Sequence, residues 1–329
     1  MAALRLIFTA LALICACAAP VQATEPWRNW QTSRHVDRAL AGMVWDTEAD
    51  AAIAPAEMIA RLAEVRFVLI GEIHDNPDHH RLQGWIIAEL AAAGMSPTVV
   101  MEMIARDKAD ALADYLARPD ASAGGLGAAL DWSESGWPNW RFYQPIAEAA
   151  LAANLTIAPG NPPADLVRSA ARNGSDSLPA AHRRELALDQ PLPPALADAL
   201  TDELYDGHCE LMPRERLAPM ARVQRLRDAY MADALLNAEG GSAVLIAGNG
   251  HVRADRGVPW YLRRRAPDSR AATVTLVELN DTAASAPDYV ERGPDGAPVA
   301  DFVWLTPRAQ RPDPCEQMRQ RFQKEGDGD

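Results

Sequence analysis

The stretch "GEIHDNPDHH" (71–80) gathers Glu72, Asp75 and Asp78 with His74, His79 and His80, directly behind the apolar run "VRFVLI". Histidine is scarce elsewhere: the chain has 7 in 329 residues. Carboxylates and imidazoles that converge can hold a divalent metal, or move protons as general acid and base. Pro77 divides the stretch. It suits the first position of a helix capped by Asp75 or Asn76. The H-x4-H spacing is therefore not the continuous-helix H-E-x-x-H of zinc proteases. His79 and His80 fall in the first helical turn, where the helix dipole disfavours imidazolium and leaves the neutral, metal-binding form. The plain alternative for both is a solvent-facing place in a capping loop. Glu72 and His74 sit where open α/β sheets place their ligands, at the carboxyl end of a strand.

A second block repeats the pattern. "AGNGHVRADRGVPWYL" (247–262) also follows an apolar run, and Gly248-Asn249-Gly250-His251 matches Gly71-Glu72-Ile73-His74 as Gly-x-x-His. Adjacent strands lie about 4.8 Å apart. Two such turns at one sheet edge bring His74 and His251 together. Arg253 is a candidate for holding a carboxylate or phosphate. Glu102, in "VVMEM", ends another apolar run; it is placed to ligate a metal, act as a base or orient a histidine. The metal set expected from these blocks is His74, His251, Glu72, His79 and His80. The catalytic set, for a hydrolase, is Glu72, His74, Glu102 and His251.

Two further segments carry chemistry-bearing side chains. "ELYDGHCELMP" (203–213) holds Tyr205, His208 and Met212, all residue types that ligate haem iron. Tyr205 and His208 share a face if the segment is helical. "VQRLRDAYMADAL" (223–235) sets Gln224, Arg227 and Asp228 on one amphipathic helix, where a salt-bridged surface face is the simpler reading. There is no G-x-S-x-G elbow, no Walker loop and no G-x-G-x-x-G behind a strand.

The elements that must position these residues follow from the hydrophobic pattern. Continuous apolar runs at 65–71, 98–103, 155–160, 243–248 and 272–279 suit strands buried on both faces of a parallel sheet. "DFVWL" (301–305) reads as an edge strand. Ala-rich helical stretches separate them, as in "HRLQGWIIAELAAAG" (80–94). This spacing predicts an α/β fold, a three-layer, mainly parallel sheet flanked by helices. A Pro-punctuated helical insertion, about 162–239, forms a small subdomain before the strand at 243–248. The main domain spans 24–305, and a polar, mobile tail follows at 306–329, apart from whatever Cys315 holds down.

Hydrophobic residues make up 48% and charged residues 23%, an ordinary globular balance. The net charge of -13 lacks the basic stripe that nucleic acid requires. The first 23 residues read as an export signal, with Arg5 ahead of an apolar run too short to span a membrane. Cleavage ahead of Thr24 fits Val21-Gln22-Ala23. Ile14-Cys15-Ala16-Cys17 also resembles a lipobox, with Cys17 as the lipidated residue. An exported, periplasmic protein keeps Cys209 and Cys315, an even count in an oxidising compartment, which predicts a disulfide between them.

Taken in order, "LIGEIHDNPDHHRLQ", "VVMEM", "WPNWRFYQPI", "DGHCELMP", "VQRLRDAYMA" and "LIAGNGHVRADRGVPWYL" resemble the ChaN-like haem-binding lipoproteins. That family lies in the wider superfamily of Tiki proteases and erythromycin esterases. The resemblance covers about residues 39–265. It implies haem as ligand, a role in haem or iron uptake, dimer formation linked to haem, and an outer-membrane haem receptor system as partner. Glu72, His74, His251 and Glu102 match the family's motif positions. In the wider superfamily, corresponding motifs serve hydrolysis, metal-dependent in Tiki proteins. The haem-binding set expected here is Tyr205, His208, Met212, His74, His251 and Arg253. A tyrosinate backed by histidine suits a carrier that must release its haem.

Overall fold

The structure is a computed structural model; it describes residues 25–326. The targeting segment, with Cys15, Cys17 and both processing sites, lies outside the described residues. Among the described residues no helix is long and apolar enough to cross a membrane.

Eight strands run in chain order: β1 (Val44–Asp46), β2 (Ala51–Ile53), β3 (Phe67–Glu72), β4 (Thr98–Ala105), β5 (Ile157–Asn161), β6 (Ala243–Gly248), β7 (Ala271–Glu278) and β8 (Phe302–Thr306). The first helices are α1 (Pro55–Leu62), α2 (Pro77–Ala92), α3 (Ala109–Leu116), α4 (Ala123–Ala129) and α5 (Trp140–Ala152). Then come α6 (Ala164–Asn173), α7 (Ala180–Glu185), α8 (Pro194–Gly207) and α9 (Ala218–Leu236). The last are α10 (Asn249–Val252), α11 (Val258–Arg265) and α12 (Pro314–Gly326).

The strands form one sheet in the order β2-β1-β8-β7-β3-β6-β4-β5. From β8 to β5 all pairs are parallel. β1 and β2 add an antiparallel hairpin beyond β8. The α/β expectation is met, with one correction: β8 is an interior strand, not an edge. Its five residues are all buried, because the three-residue strand β1 pairs along its outer side.

The layers follow from which strand residues face which way. Val68, Ile70, Val99, Met101, Val244 and Ile246 pack with α1, α2 and α5. Phe67, Leu69, Val100 and Leu245 pack against α9 and α11 on the other face. The helices between β5 and β6 thus contribute a layer: α9 covers the sheet, and α6 and α8 pack on α9. The chain leaves β3 for α2 on one face and leaves β6 for α11 on the other. β3 and β6 are neighbours. Their carboxyl ends therefore flank a topological switch point, the place where such sheets open a crevice.

The loop after β3 is tightly held. Asn76 caps α2 by accepting from the Asp78 N–H at 3.0 Å, and Pro77 opens the helix. His79 is fully buried, which corrects its expected place as a metal ligand or surface residue. Its Nδ1 accepts from the Ile73 N–H at 2.9 Å, and its Nε2 meets Thr306 Oγ1 at 2.8 Å. Burial and the neighbouring His80 push its pKa down to about 3. A neutral ring with both nitrogens engaged clamps the loop to β8 and has no lone pair left for a metal.

The polar pattern after Thr306 predicts a mobile tail; its start is instead anchored. Asn76 donates to the Pro307 carbonyl, and Arg311 pairs with Asp75 and with Glu278. Cys315, on α12, is bonded to Cys209 at the end of α8, as the cysteine count predicts.

Two glycines let β3 and β6 meet as they do. A Cβ on Gly71 would stand 2.3 Å from Asn249 Oδ1 and 2.6 Å from Val252 Cγ2. A Cβ on Gly248 would stand 3.1 Å from the His74 ring. Gly71→Ala is expected to lower stability by about 1–3 kcal/mol or more in urea melts, because α10 must shift. Gly248→Ala should cost less, since only a side chain must give way. Equal midpoints for wild type and Gly71→Ala would refute this account.

Candidate functional site

At the switch point, β3 contributes Glu72 as its last residue, and His74 follows two residues later. β4 contributes Glu102, α10 contributes His251, and α9 contributes Asp228. His74 Nδ1–H donates to Glu72 Oε1 at 2.7 Å. His251 Nδ1–H donates to Asp228 Oδ1 at 2.6 Å, and its Nε2 lies 3.2 Å from Glu102 Oε1. The Gly248 N–H donates to the other Glu102 oxygen at 2.9 Å. Two histidine–carboxylate sets thus stand side by side, as the paired Gly-x-x-His blocks imply.

His80 completes the first set, and it is buried rather than solvent-facing. Its Nε2–H donates to the His74 carbonyl at 3.0 Å, and its Nδ1 lies 2.7 Å from Glu72 Oε2. Tyr143, on α5, donates to the same carbonyl at 3.4 Å. The Trp137 ring meets His74 at 4.9 Å, nearly edge-on. His74 keeps 36% of its side chain exposed, while Glu72, Glu102, His251 and Asp228 are all almost fully covered. His74 Nε2 faces Gly248 and makes no hydrogen bond among the described residues.

Each charge is set by its neighbours. Burial pushes the Glu72 carboxyl up, but His80 and His74 outweigh it and hold the group at about 2. Glu102 is likewise driven up by burial and down, to a net low value, by His251, His74 and the Gly248 N–H. Burial opposes a charge on His251, yet Glu102 and Asp228 raise it to about 10. Asp228 is raised, because burial dominates and Glu102 already claims the same imidazolium. His74 is raised by Glu72 and Glu102 against its own desolvation. At neutral pH the site is a compact ion network with His251 as its protonated centre.

This geometry does not assemble the expected metal set. Among the described residues, no group of three or more His, Cys, Asp or Glu is arranged to hold an ion. The nitrogens of His251, His79 and His80 are turned to protein acceptors or donors. Arg253 is also corrected as an anion-holding group. It is buried and already pairs with Asp255, at 3.0 Å, and with Glu291.

Tyr205 and His208 are not part of this centre. They lie half-buried at the end of α8. The Tyr205 ring packs under the Arg214 guanidinium, with 4.4 Å to the centroid. His208 Nδ1–H donates to the Leu204 carbonyl at 2.6 Å, which leaves Nε2 available. Met212 follows, also half-buried. Sequence reasoning singles out Asp228 without a role, and it misses Tyr143 and Trp137 as site residues. Asp228 has a signal: an acid set directly before the buried run Ala229–Ala232 needs a partner.

An α/β sheet with an acid–histidine centre at its switch point defines a broad class. Comparison with known proteins narrows it. Residues 58–262 match the family described as "Haem-binding uptake, Tiki superfamily, ChaN", and the chain belongs to that family. A solved structure, "Cofacial heme binding to ChaN of Campylobacter jejuni", shares the fold at 20% identity and a TM-score of 0.63; the match covers 80% of this chain and 96% of that one. A mutant of the erythromycin esterase EreC in its open conformation is 16% identical over 88% of this chain and 86% of that one, with a TM-score of 0.39. RRSP, a MARTX toxin effector domain from Vibrio vulnificus CMCP6, is 16% identical over 79% of this chain and 39% of that one, also at 0.39. No curated protein matches the chain.

A raised histidine pKa stabilises the fold fully below the unfolded value and is lost as pH climbs through the folded one. For His251 that window runs from 6.5 to about 10. Stability in urea should fall across it. Asp228→Asn should narrow the window by bringing the His251 pKa down; an identical pH slope in the variant would count against the ion pair.

Proposed function

We propose that the chain is a haem-binding protein of the bacterial cell envelope that serves haem or iron uptake. The observation that carries this reading is the family match over residues 58–262. The protein is exported to the periplasm, either cleaved ahead of Thr24 or anchored to a membrane through Cys17. The Cys209–Cys315 bond supports an oxidising compartment.

Tyr205 and His208 are the proposed iron-facing residues, with Met212 beside them. His208 has its Nδ1 fixed on Leu204 and its Nε2 free, the state a ligand or a hydrogen-bonding backer requires. A helix end this open covers one face of a macrocycle at most. A second copy supplies the other wall, and haems bound cofacially, as in ChaN of Campylobacter jejuni, would close a dimer. An outer-membrane haem receptor system fits as the partner. Titration with haemin should give a saturable Soret shift and a dimer on size exclusion. Tyr205→Ala and His208→Ala should each weaken binding by about tenfold or more. Absence of a saturable shift would overturn the reading; a shift untouched in both variants would overturn the ligand assignment.

One observation favours a second reading, a histidine-based hydrolase. His74 is oriented by Glu72 through Nδ1 and presents an open Nε2, as a general base must. Protonated His251, held between Asp228 and Glu102, fixes the charge of the carboxylates beside His74. A screen of ester and peptide substrates should then show turnover that His74→Ala removes. No turnover by the wild type would dismiss it.

A further inference from the structure

A cavity of about 420 Å³ opens at the carboxyl ends of β4 and β5, beside the acid–histidine centre. Met103, Trp132, Trp137 and Val167 supply apolar walls. Three connections join it to the centre. Trp137 lines the cavity and touches the His74 ring. On β4, Met103 follows Glu102. On α9, Arg227 lines the cavity while the adjacent Asp228 holds His251.

Two polar groups in the lining have no partner among the described residues. Arg227 makes no hydrogen bond or ion pair there, and its Nε is buried. Asn161 is 8% exposed, and its buried Oδ1 accepts nothing. The other two cations of the lining are engaged: Lys108 pairs with Asp131, and Arg168 with Asp165. The carboxylates of the lining, Asp107, Asp131 and Glu134, are exposed, and none pairs with Arg227. A guanidinium half-withdrawn from water without an anion is costly, and buried amide oxygens are normally satisfied. Both defects are removed by one ligand that brings an anion to Arg227 and a donor to Asn161.

We propose that this cavity binds a small amphipathic carboxylate. Its acid group is held by Arg227, a fork suited to carboxylate geometry. Its apolar body lies between Trp132 and Trp137, and its far end reaches the side of the cavity where Trp137 meets His74. Tyr205, His208 and Met212 do not line the cavity. The inference therefore stands apart from the haem reading and can fail without it.

The probe is 1-naphthaleneacetate, compared with its neutral isostere 1-naphthaleneacetamide, each titrated against tryptophan fluorescence of the mature protein. The acid should quench saturably and bind about tenfold or more tighter than the amide, the margin of a charge-assisted hydrogen bond. Arg227→Gln should erase that preference, leave amide binding unchanged and leave the haemin titration unchanged. Because Arg227 has no partner to lose among the described residues, the variant should melt no lower than wild type. No saturable quenching by the acid, equal affinity for acid and amide, or a preference that survives Arg227→Gln overturns the proposal. If that variant does not fold, the acid–amide comparison on wild type decides alone.

Discussion

The two Gly-x-x-His turns fit together only because each is missing a side chain where the other needs room. Gly71 admits Asn249 and Val252; Gly248 admits the His74 ring. The ladder pairs Gly71 with Ala247 and Glu72 with Gly248, so the motifs meet one residue out of step. That offset lets one glycine face a helix and the other face an imidazole. Strand pairing, helix placement and the position of His74 all rest on this exchange of space.

Around that joint the protein buries charges that would be prohibitive alone. They are tolerated because each carboxylate has an imidazole and each imidazole a carboxylate. Glu72 sits between His74 and His80, while His251 sits between Asp228 and Glu102. Removing one member of a buried pair leaves an uncompensated charge and typically costs about 3–5 kcal/mol. Such a network is stiff, and it leaves the outermost ring, His74, oriented but accessible.

Much of this is legible in the residues. Apolar runs mark the parallel strands, since both faces of each are covered. Pro77 places the start of α2, and the repeated Gly-x-x-His joins two distant turns. What fails to show has physical reasons. β1 and β2 have three residues each, too few for a period, so β8 looks like an edge. His79 resembles a ligand because nothing local reveals that Ile73 and Thr306 use both its nitrogens. Arg253 looks available because its partner Glu291 lies far along the chain. Asp228 carries a faint mark and Trp137 none, for a long-range partner leaves no trace in spacing.

The bond between Cys209 and Cys315 closes a covalent ring of chain with a sequence separation of 106. Within that ring lie β6, β7 and β8, the His251 turn and all of α9. A protease that cuts any loop inside it produces no loose fragment, because the two pieces stay joined through sulfur. A nick between β7 and β8 would leave every strand of the sheet tethered to its neighbours. Damage that would dismantle an unbridged chain becomes, for this one, a missing peptide bond in a molecule that remains whole.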